Sequence, residues 1–154
     1  MYYLCSIGSN MEPHHHVSLA IDELVTQFGQ LSLSSVIQTT PVGITSRHDF
    51  LNCLFVVESP LSNHELKGRF VAMEQAHGRD RSDPLCKVKD RPLDIDILAS
   101  HPHGDFSAAR VDSYLEALLA ELCGEAVDPP GKISLSTLGM QIGMRPCQLA
   151  HPLH

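Results

Sequence analysis

From Leu93 to Ile97 the chain alternates strictly between apolar and acidic side chains, Leu93-Asp94-Ile95-Asp96-Ile97, and Leu98 follows. Period-two alternation is the mark of a strand with one face in a core and the other open. Side chains at i and i+2 of a strand point the same way, about 7 Å apart along it. Asp94 and Asp96 therefore share a face, at a spacing that lets two carboxylates hold a pair of hard, oxygen-seeking cations such as Mg²⁺. An Asp-x-Asp pair can also be no more than the solvated side of an amphipathic strand. The neighbourhood decides between the two.

That neighbourhood is basic in an acidic protein. The net charge is −7, yet seven of the eleven Lys and Arg residues (Lys67, Arg69, Arg79, Arg81, Lys87, Lys89, Arg91) lie between positions 67 and 91. The same interval holds four acids, Glu74, Asp80, Asp83 and Asp90. A small, polyanionic, metal-bound ligand suits this distribution. The overall charge argues against a nucleic-acid partner or an anionic membrane surface.

The 154 residues read as one domain, 1–154, with an ordinary apolar fraction. The longest apolar runs, such as Leu54-Phe55-Val56-Val57, are too short to span a bilayer. Met1-Tyr2-Tyr3-Leu4-Cys5 enters a strand pattern without a basic, signal-type start, so a cytoplasmic protein is expected. Five cysteines with no C-x-x-C pair suggest neither a disulfide framework nor a zinc site. Cys5 and Cys53 fall in strand patterns and read as buried thiols.

Pattern and punctuation predict a strand over 2–7, a helix over 14–28 and a strand over 31–39. A strand over 50–58 follows, then a helix capped by Ser62 or Asn63 and running to about His77, then the aspartate strand over 91–98. The first helix presents Val17, Leu19, Ala20, Leu24, Val25 and Phe28 inward and stops at Gly29. The order β-α-β-β-α-β is the split, ferredoxin-like arrangement of the α+β class, with an antiparallel sheet. Beyond residue 99 the expectation is a C-terminal helical extension: a helix over 112–123, a short one over 134–141, and a loose tail from Arg145.

With strand order 2-3-1-4, the end of the first strand lies beside the starts of the third and fourth. Gly8-Ser9-Asn10, the turn Thr39-Thr40-Pro41-Val42-Gly43, Phe50 and Asn52, and Arg91, Asp94 and Asp96 all fall at that one edge. Singly each has a plain reading: a turn, a solvated strand residue, a charged connection. Together they outline a pocket. The amide of Asn52, if buried, needs partners that a heterocycle edge would supply. His14-His15-His16 and His101-Pro102-His103 point in several directions and are given no role.

In that order, over residues 3–99, the motifs Gly8-Ser9-Asn10, Thr39-Thr40-Pro41-Val42-Gly43, Asp49-Phe50-Leu51-Asn52, Glu74-x-x-x-Gly78-Arg79-x-Arg81 and Arg91-x-Leu93-Asp94-Ile95-Asp96-Ile97-Leu98 resemble the 6-hydroxymethyl-7,8-dihydropterin pyrophosphokinase family of folate biosynthesis. The resemblance implies transfer of the β,γ-pyrophosphoryl group of ATP to the pterin hydroxymethyl oxygen, with release of AMP. It implies that Asp94 and Asp96 hold two Mg²⁺ ions. It assigns Thr39, Val42, Phe50 and Asn52 to the pterin, with Tyr114 in place of a family Phe. To ATP it assigns Glu74, Arg79, Arg81 and Arg91, with Lys87 or Lys89 in place of a further family arginine and Arg110 in place of a family cation. Arg81 and Arg91 join the aspartates as catalytic residues, and a monomer acting on small molecules is expected.

The chain departs from the family in having no Trp and in a short segment after the aspartate strand, where a family His and Arg have no match. Physics agrees with the assignment, since such transfer needs in-line placement and charge neutralisation more than covalent chemistry. No general base stands out. The alternative is a paralogue that binds pterin or nucleotide without turnover.

Overall fold

The structure is a computed structural model, and it describes residues 1–40, 48–79 and 91–151. Pro41, Val42 and Gly43 of the predicted turn, and Arg81, Lys87 and Lys89 of the basic segment, lie outside the described residues.

Strand β1 (Tyr2–Ser9) leads into helix α1 (Pro13–Phe28). Proline at the first helical turn has no N–H to leave unpaired. Gly29, at φ 86°, ends the helix by donating its N–H to Val25 O at 2.8 Å. The buried stripe is Val17, Ala20, Ile21, Leu24 and Val25. Leu19, expected inward, is 40% exposed, because two residues from Val17 is about 200° around a helix, whereas Ile21 is one turn on.

Strand β4 (Phe50–Glu58) precedes α2 (Asn63–Ala76), which Ser62 caps. Glu65 N–H donates to Ser62 Oγ and Ser62 N–H donates to Glu65 Oε1, both at 3.1 Å, a reciprocal capping box. Strand β5 (Asp94–His101) starts three residues later than expected.

The predicted strand 31–39 is two: β2 (Gln30–Leu33) and β3 (Ile37–Thr39), both antiparallel to β4. Ser34, Ser35 and Val36 interrupt them, with partners of their own described below. A 3₁₀ turn (Ser113–Leu115) runs into α3 (Glu116–Leu122), so the third helix is present.

Two expectations further on are corrected. Residues 134–141 hold no helix; strands β6 (Leu135–Thr137) and β7 (Met140–Ile142) pair across Leu138-Gly139. Both turn residues have positive φ, 53° and 73°, the geometry of the tight hairpin turn that follows strand twist. The tail is not loose over Cys147–Ala150, which forms β8 against β2 and buries Leu149.

The main sheet runs β5-β1-β4-β2-β8, all antiparallel, with β3 beside β4. This is the ferredoxin-like order of the α+β class, with β8 added at one edge. Tyr3, Cys5, Ile7, Cys53, Phe55 and Ile95 face α1 and α2. Leu4, Ile37 and Leu54 face the other way, under Phe106 and the leucines of α3. No helix among the described residues is long and apolar enough to cross a membrane.

Candidate active site

Register places the chemistry. Gly8 stands opposite Asn52 on β4 and opposite Asp94 on β5. Directly opposed residues share a face, so Asn52, Gly8 and Asp94 form one row across three strands. Ser6 stands opposite Asp96 in the next row, and Thr39 opposite Phe50. All lie on the face that carries α3, beyond the end of its apolar cover. Gly8 keeps the middle of the row open: a Cβ there would sit 2.9 Å from Asn52 Oδ1.

Around this row is a cleft of about 70 Å³. Of the predicted pterin residues it is lined by Thr39, Phe50, Asn52 and Tyr114, and of the catalytic set by Arg91, Asp94 and Asp96. Ser6 and Thr40 complete it, and the sequence reading gave neither a role of its own. Asn52, only 8% exposed, donates Nδ2–H to Thr39 Oγ1 at 2.5 Å. Tyr114 is 39% exposed. Its hydroxyl is pushed up from the usual phenol pKa by burial and then by the charges of Asp112, Asp94 and Asp96.

The acidic side is held by cations. Arg79 Nη1 donates to Asp94 Oδ1 at 2.5 Å and to Glu74 Oε2 at 3.1 Å, and Arg91 Nη1 to Asp94 Oδ2 at 3.3 Å. Lys67 Nζ lies 3.5 Å from Asp96 Oδ1. Thus Lys67, Arg79 and Arg91 of the basic run converge on the two aspartates. Arg91 is placed in turn by Asn10, whose Oδ1 accepts its N–H at 2.6 Å and whose N–H donates to its carbonyl at 3.0 Å. That pairing ties the Gly8-Ser9-Asn10 turn to the start of β5.

Glu74 and Arg79 sit behind the cleft. Glu74 is fully enclosed, and its Oε2 also accepts the Ile95 N–H at 2.8 Å. Its carboxylate is occupied by the strand and by Arg79, which makes it a brace for Asp94. The signal for this was legible: Glu74 falls at i+8 from Leu66 and i+4 from Phe70, on the apolar stripe of α2. Arg110 does not line the cleft; exposed, it borders a separate hollow with Glu116 and Cys123. Its assignment to the nucleotide rests on the family resemblance alone. Val42, Arg81 and Lys87 fall outside the described residues.

The donor set suits a hard cation. Asp94 and Asp96 offer oxygens on one face, Asp96 with a side chain 46% exposed. The Asp96 carboxyl is pushed above the usual carboxylate range, first by burial and then by the charge of Asp94. That is the crowding of negative charge a divalent ion relieves. No group of three or more His, Cys, Asp or Glu is assembled for a metal among the described residues, so water or ligand oxygens would complete the shell.

A ferredoxin-like sheet and the turn before α3 thus bring an amide, two aromatic rings, two carboxylates and one guanidinium group to one cleft, with a second guanidinium behind it. The sequence profile of the 7,8-dihydro-6-hydroxymethylpterin-pyrophosphokinase family matches residues 4–122, and the chain belongs to that family. The match runs through α3, past the motifs that end at residue 99. Among its relatives are the 2-amino-4-hydroxy-6-hydroxymethyldihydropteridine pyrophosphokinases of two Porphyromonas gingivalis strains, each 37% identical over 95 residues. The matched stretch is 60% of this chain and spans 65% of the length of those relatives.

Proposed function

We propose that this protein transfers the β,γ-pyrophosphoryl group of ATP to the hydroxymethyl oxygen of 6-hydroxymethyl-7,8-dihydropterin, giving the pterin diphosphate and AMP for folate biosynthesis. The observation that carries this reading is the row Asn52–Gly8–Asp94. It sets a ring-recognising amide and a cation-holding carboxylate two strand spacings apart, about 10 Å. A flat heterocycle seated at one end would therefore bring a short side arm to the other.

In this reading Asn52 and Thr39 satisfy the polar edge of the ring, while Phe50 and Tyr114 flank its faces. Asp94 and Asp96 hold two Mg²⁺ ions. When bound, these ions neutralise the triphosphate and ease loss of the alcohol proton. Arg91 faces the phosphates from the same cleft, and Arg81 and Lys87 are assigned to them by family resemblance. Glu74 and Arg79 are positioning residues that fix the rotamer of Asp94. Fixed donors and acceptors of this kind act by placement and electrostatics, the main demands of an in-line transfer between oxygens. The reading carries with it a cytoplasmic monomer acting on small molecules.

The test is a discontinuous assay of the purified protein with ATP, Mg²⁺ and the hydroxymethyl dihydropterin. AMP and pterin diphosphate should form one for one, and a chelator or omission of the acceptor should stop both. Folded protein that releases no AMP at saturating substrates would overturn the proposal. If calorimetry still found the pterin bound, a binding protein without turnover would take its place.

A further inference from the structure

Glu121 lies in the last turn of α3, 8% exposed, among the leucines that cover the second face of the sheet. A carboxylate is costly to bury unless charge-assisted hydrogen bonds satisfy it. Here one residue does so: Ser35 N–H donates to Oε1 at 2.7 Å and Ser35 Oγ–H to Oε2 at 2.8 Å.

Ser35 is the middle of the interruption between β2 and β3, and its neighbours are tied elsewhere. Ser34 N–H donates to Leu54 O at 2.9 Å, and Leu54 N–H donates back to Ser34 Oγ at 2.8 Å, which fixes the segment to β4. Val36 N–H donates to Gly143 O at 2.9 Å and its carbonyl accepts Ile133 N–H at 2.8 Å, which fixes it to the segment around the β6–β7 hairpin. Three consecutive residues thus anchor to three different parts of the fold. Glu121 is the anchor of α3.

Both walls of the cleft's acceptor end lead back along the chain to this anchor, Thr39 being held also by the β3–β4 pairing. Three residues after Val36, Thr39 takes the Asn52 amide proton. Seven residues before Glu121, in the 3₁₀ turn that runs into α3, Tyr114 lines the cleft with Thr39 and Asn52.

We propose that Glu121 is a positioning residue for the acceptor, fixing the distance between Tyr114, in the 3₁₀ turn that leads into α3, and the Thr39–Asn52 pair through its two hydrogen bonds to Ser35. This deepens the pyrophosphokinase reading and rests on it for the identity of the acceptor. Loss of the anchor loosens the grip on the flat ring and leaves the nucleotide end, held by β5 and α2, as it was.

The experiment uses the full chain labelled with fluorotyrosine, the Tyr114 resonance being assigned from Tyr114→Phe and Tyr3 serving as internal reference. Glu121→Ala should move the Tyr114 signal without any substrate present. Glu121→Gln, whose carbonyl and amide can serve both Ser35 groups, should restore it. In the assay Glu121→Ala should raise the acceptor KM about tenfold and leave the ATP KM within about twofold, the range expected for coupled neighbours. Glu121→Ala combined with Tyr114→Ala should bind acceptor no worse than Tyr114→Ala alone.

An unmoved Tyr114 signal, equal rises in both KM values, or multiplying effects in the double variant would each overturn the proposal. Ser35→Ala, which removes the hydroxyl contact and keeps the amide one, gives a milder version of both readouts should Glu121→Ala prove insoluble. A wild-type protein that makes no AMP would sink the catalytic reading alone, since the fluorine signal is read without ligand.

Discussion

On the face of the sheet that meets α1 and α2, Tyr3, Cys5, Ile7, Cys53, Phe55, Val57 and Ile95 are all buried, with Ile97 partly buried beside them. On the opposite face the alternate residues of the same strands divide. Leu4 and Leu54 lie under α3 and Phe106, while Ser6, Gly8, Asn52, Asp94 and Asp96 line an open cleft. The first face follows the rule of close packing throughout. The second follows it for half its length and then gathers groups that stability alone would not assemble, such as an Asp96 carboxyl held above its usual range by burial and by Asp94. Stability and chemistry are separated by strand parity on one side of the molecule and by position along the strand on the other.

The comparison breaks most visibly in activity. Asp94→Ala and Asp96→Ala should each lower AMP formation by about a thousandfold, the loss of several kcal/mol of charge stabilisation. Asp96→Asn should unfold at an equal or higher temperature than wild type, since it removes a charge that burial and Asp94 both disfavour. A fall in its melting temperature like that of a core variant would contradict the contrast between the faces. Phe55→Ala tests the other side. It should cost about 3–5 kcal/mol in denaturant unfolding, as for buried aromatics, with the KM values of the remaining folded enzyme unchanged.

Gly8→Ala sits on the boundary. A Cβ 2.9 Å from Asn52 Oδ1 has to displace that amide, at about 1–3 kcal/mol of strain. The acceptor KM should rise while the ATP KM holds, and an unchanged acceptor KM would detach Asn52 from ring recognition. The smallest effect concerns the helical face, where His16 Nδ1 meets His77 Nδ1 at 2.7 Å and His77 Nε2 meets Glu23 Oε1 at 2.9 Å. Burial, then His77 and His15, hold the His16 pKa below its ordinary 6.5, with Glu12 opposing. A lowered histidine pKa means the fold favours the neutral ring. Its contribution is therefore present above pH 6.5 and lost as pH falls through the lowered value. Melting temperatures between about pH 7.5 and pH 5 should decline less in His16→Asn than in wild type.

Much of this was legible in the residues because periodicity and punctuation agreed. β4 has the expected bounds, α2 carries a Ser62–Glu65 box before its apolar stripe, and the Asp94–Asp96 alternation survives as a strand. The convergence of Gly8, Asn52 and Asp94 followed from strand order alone. What escaped had local signals too short or too mixed. Ser34-Ser35-Val36 continues a strand-like run, and only partners far along the chain reveal the break. The hairpin at Leu138-Gly139 lacks the usual Asn-Gly or Asp-Gly, so its apolar residues passed for a helix. β8 has four residues, too few for alternation to register. Glu74, read by resemblance as an ATP contact, and Glu121, given no role, both sit among apolar helix positions and are buried. An acid at such a position is a structural partner in search of a backbone N–H, and both found one.

The cluster that aims Asp94 also bears on how the molecule meets copies of itself. Among the described strands β5 is outermost, with β1 on one side, and an edge strand offers outward N–H groups to a passing extended chain. Glu74 takes the N–H of Ile95, and Arg79 crosses to Asp94 from the same side. Removing that brace would do more than misalign a carboxylate: it would free the Ile95 N–H for an extended neighbour, and a Glu74→Ala variant should aggregate more readily than wild type in light scattering.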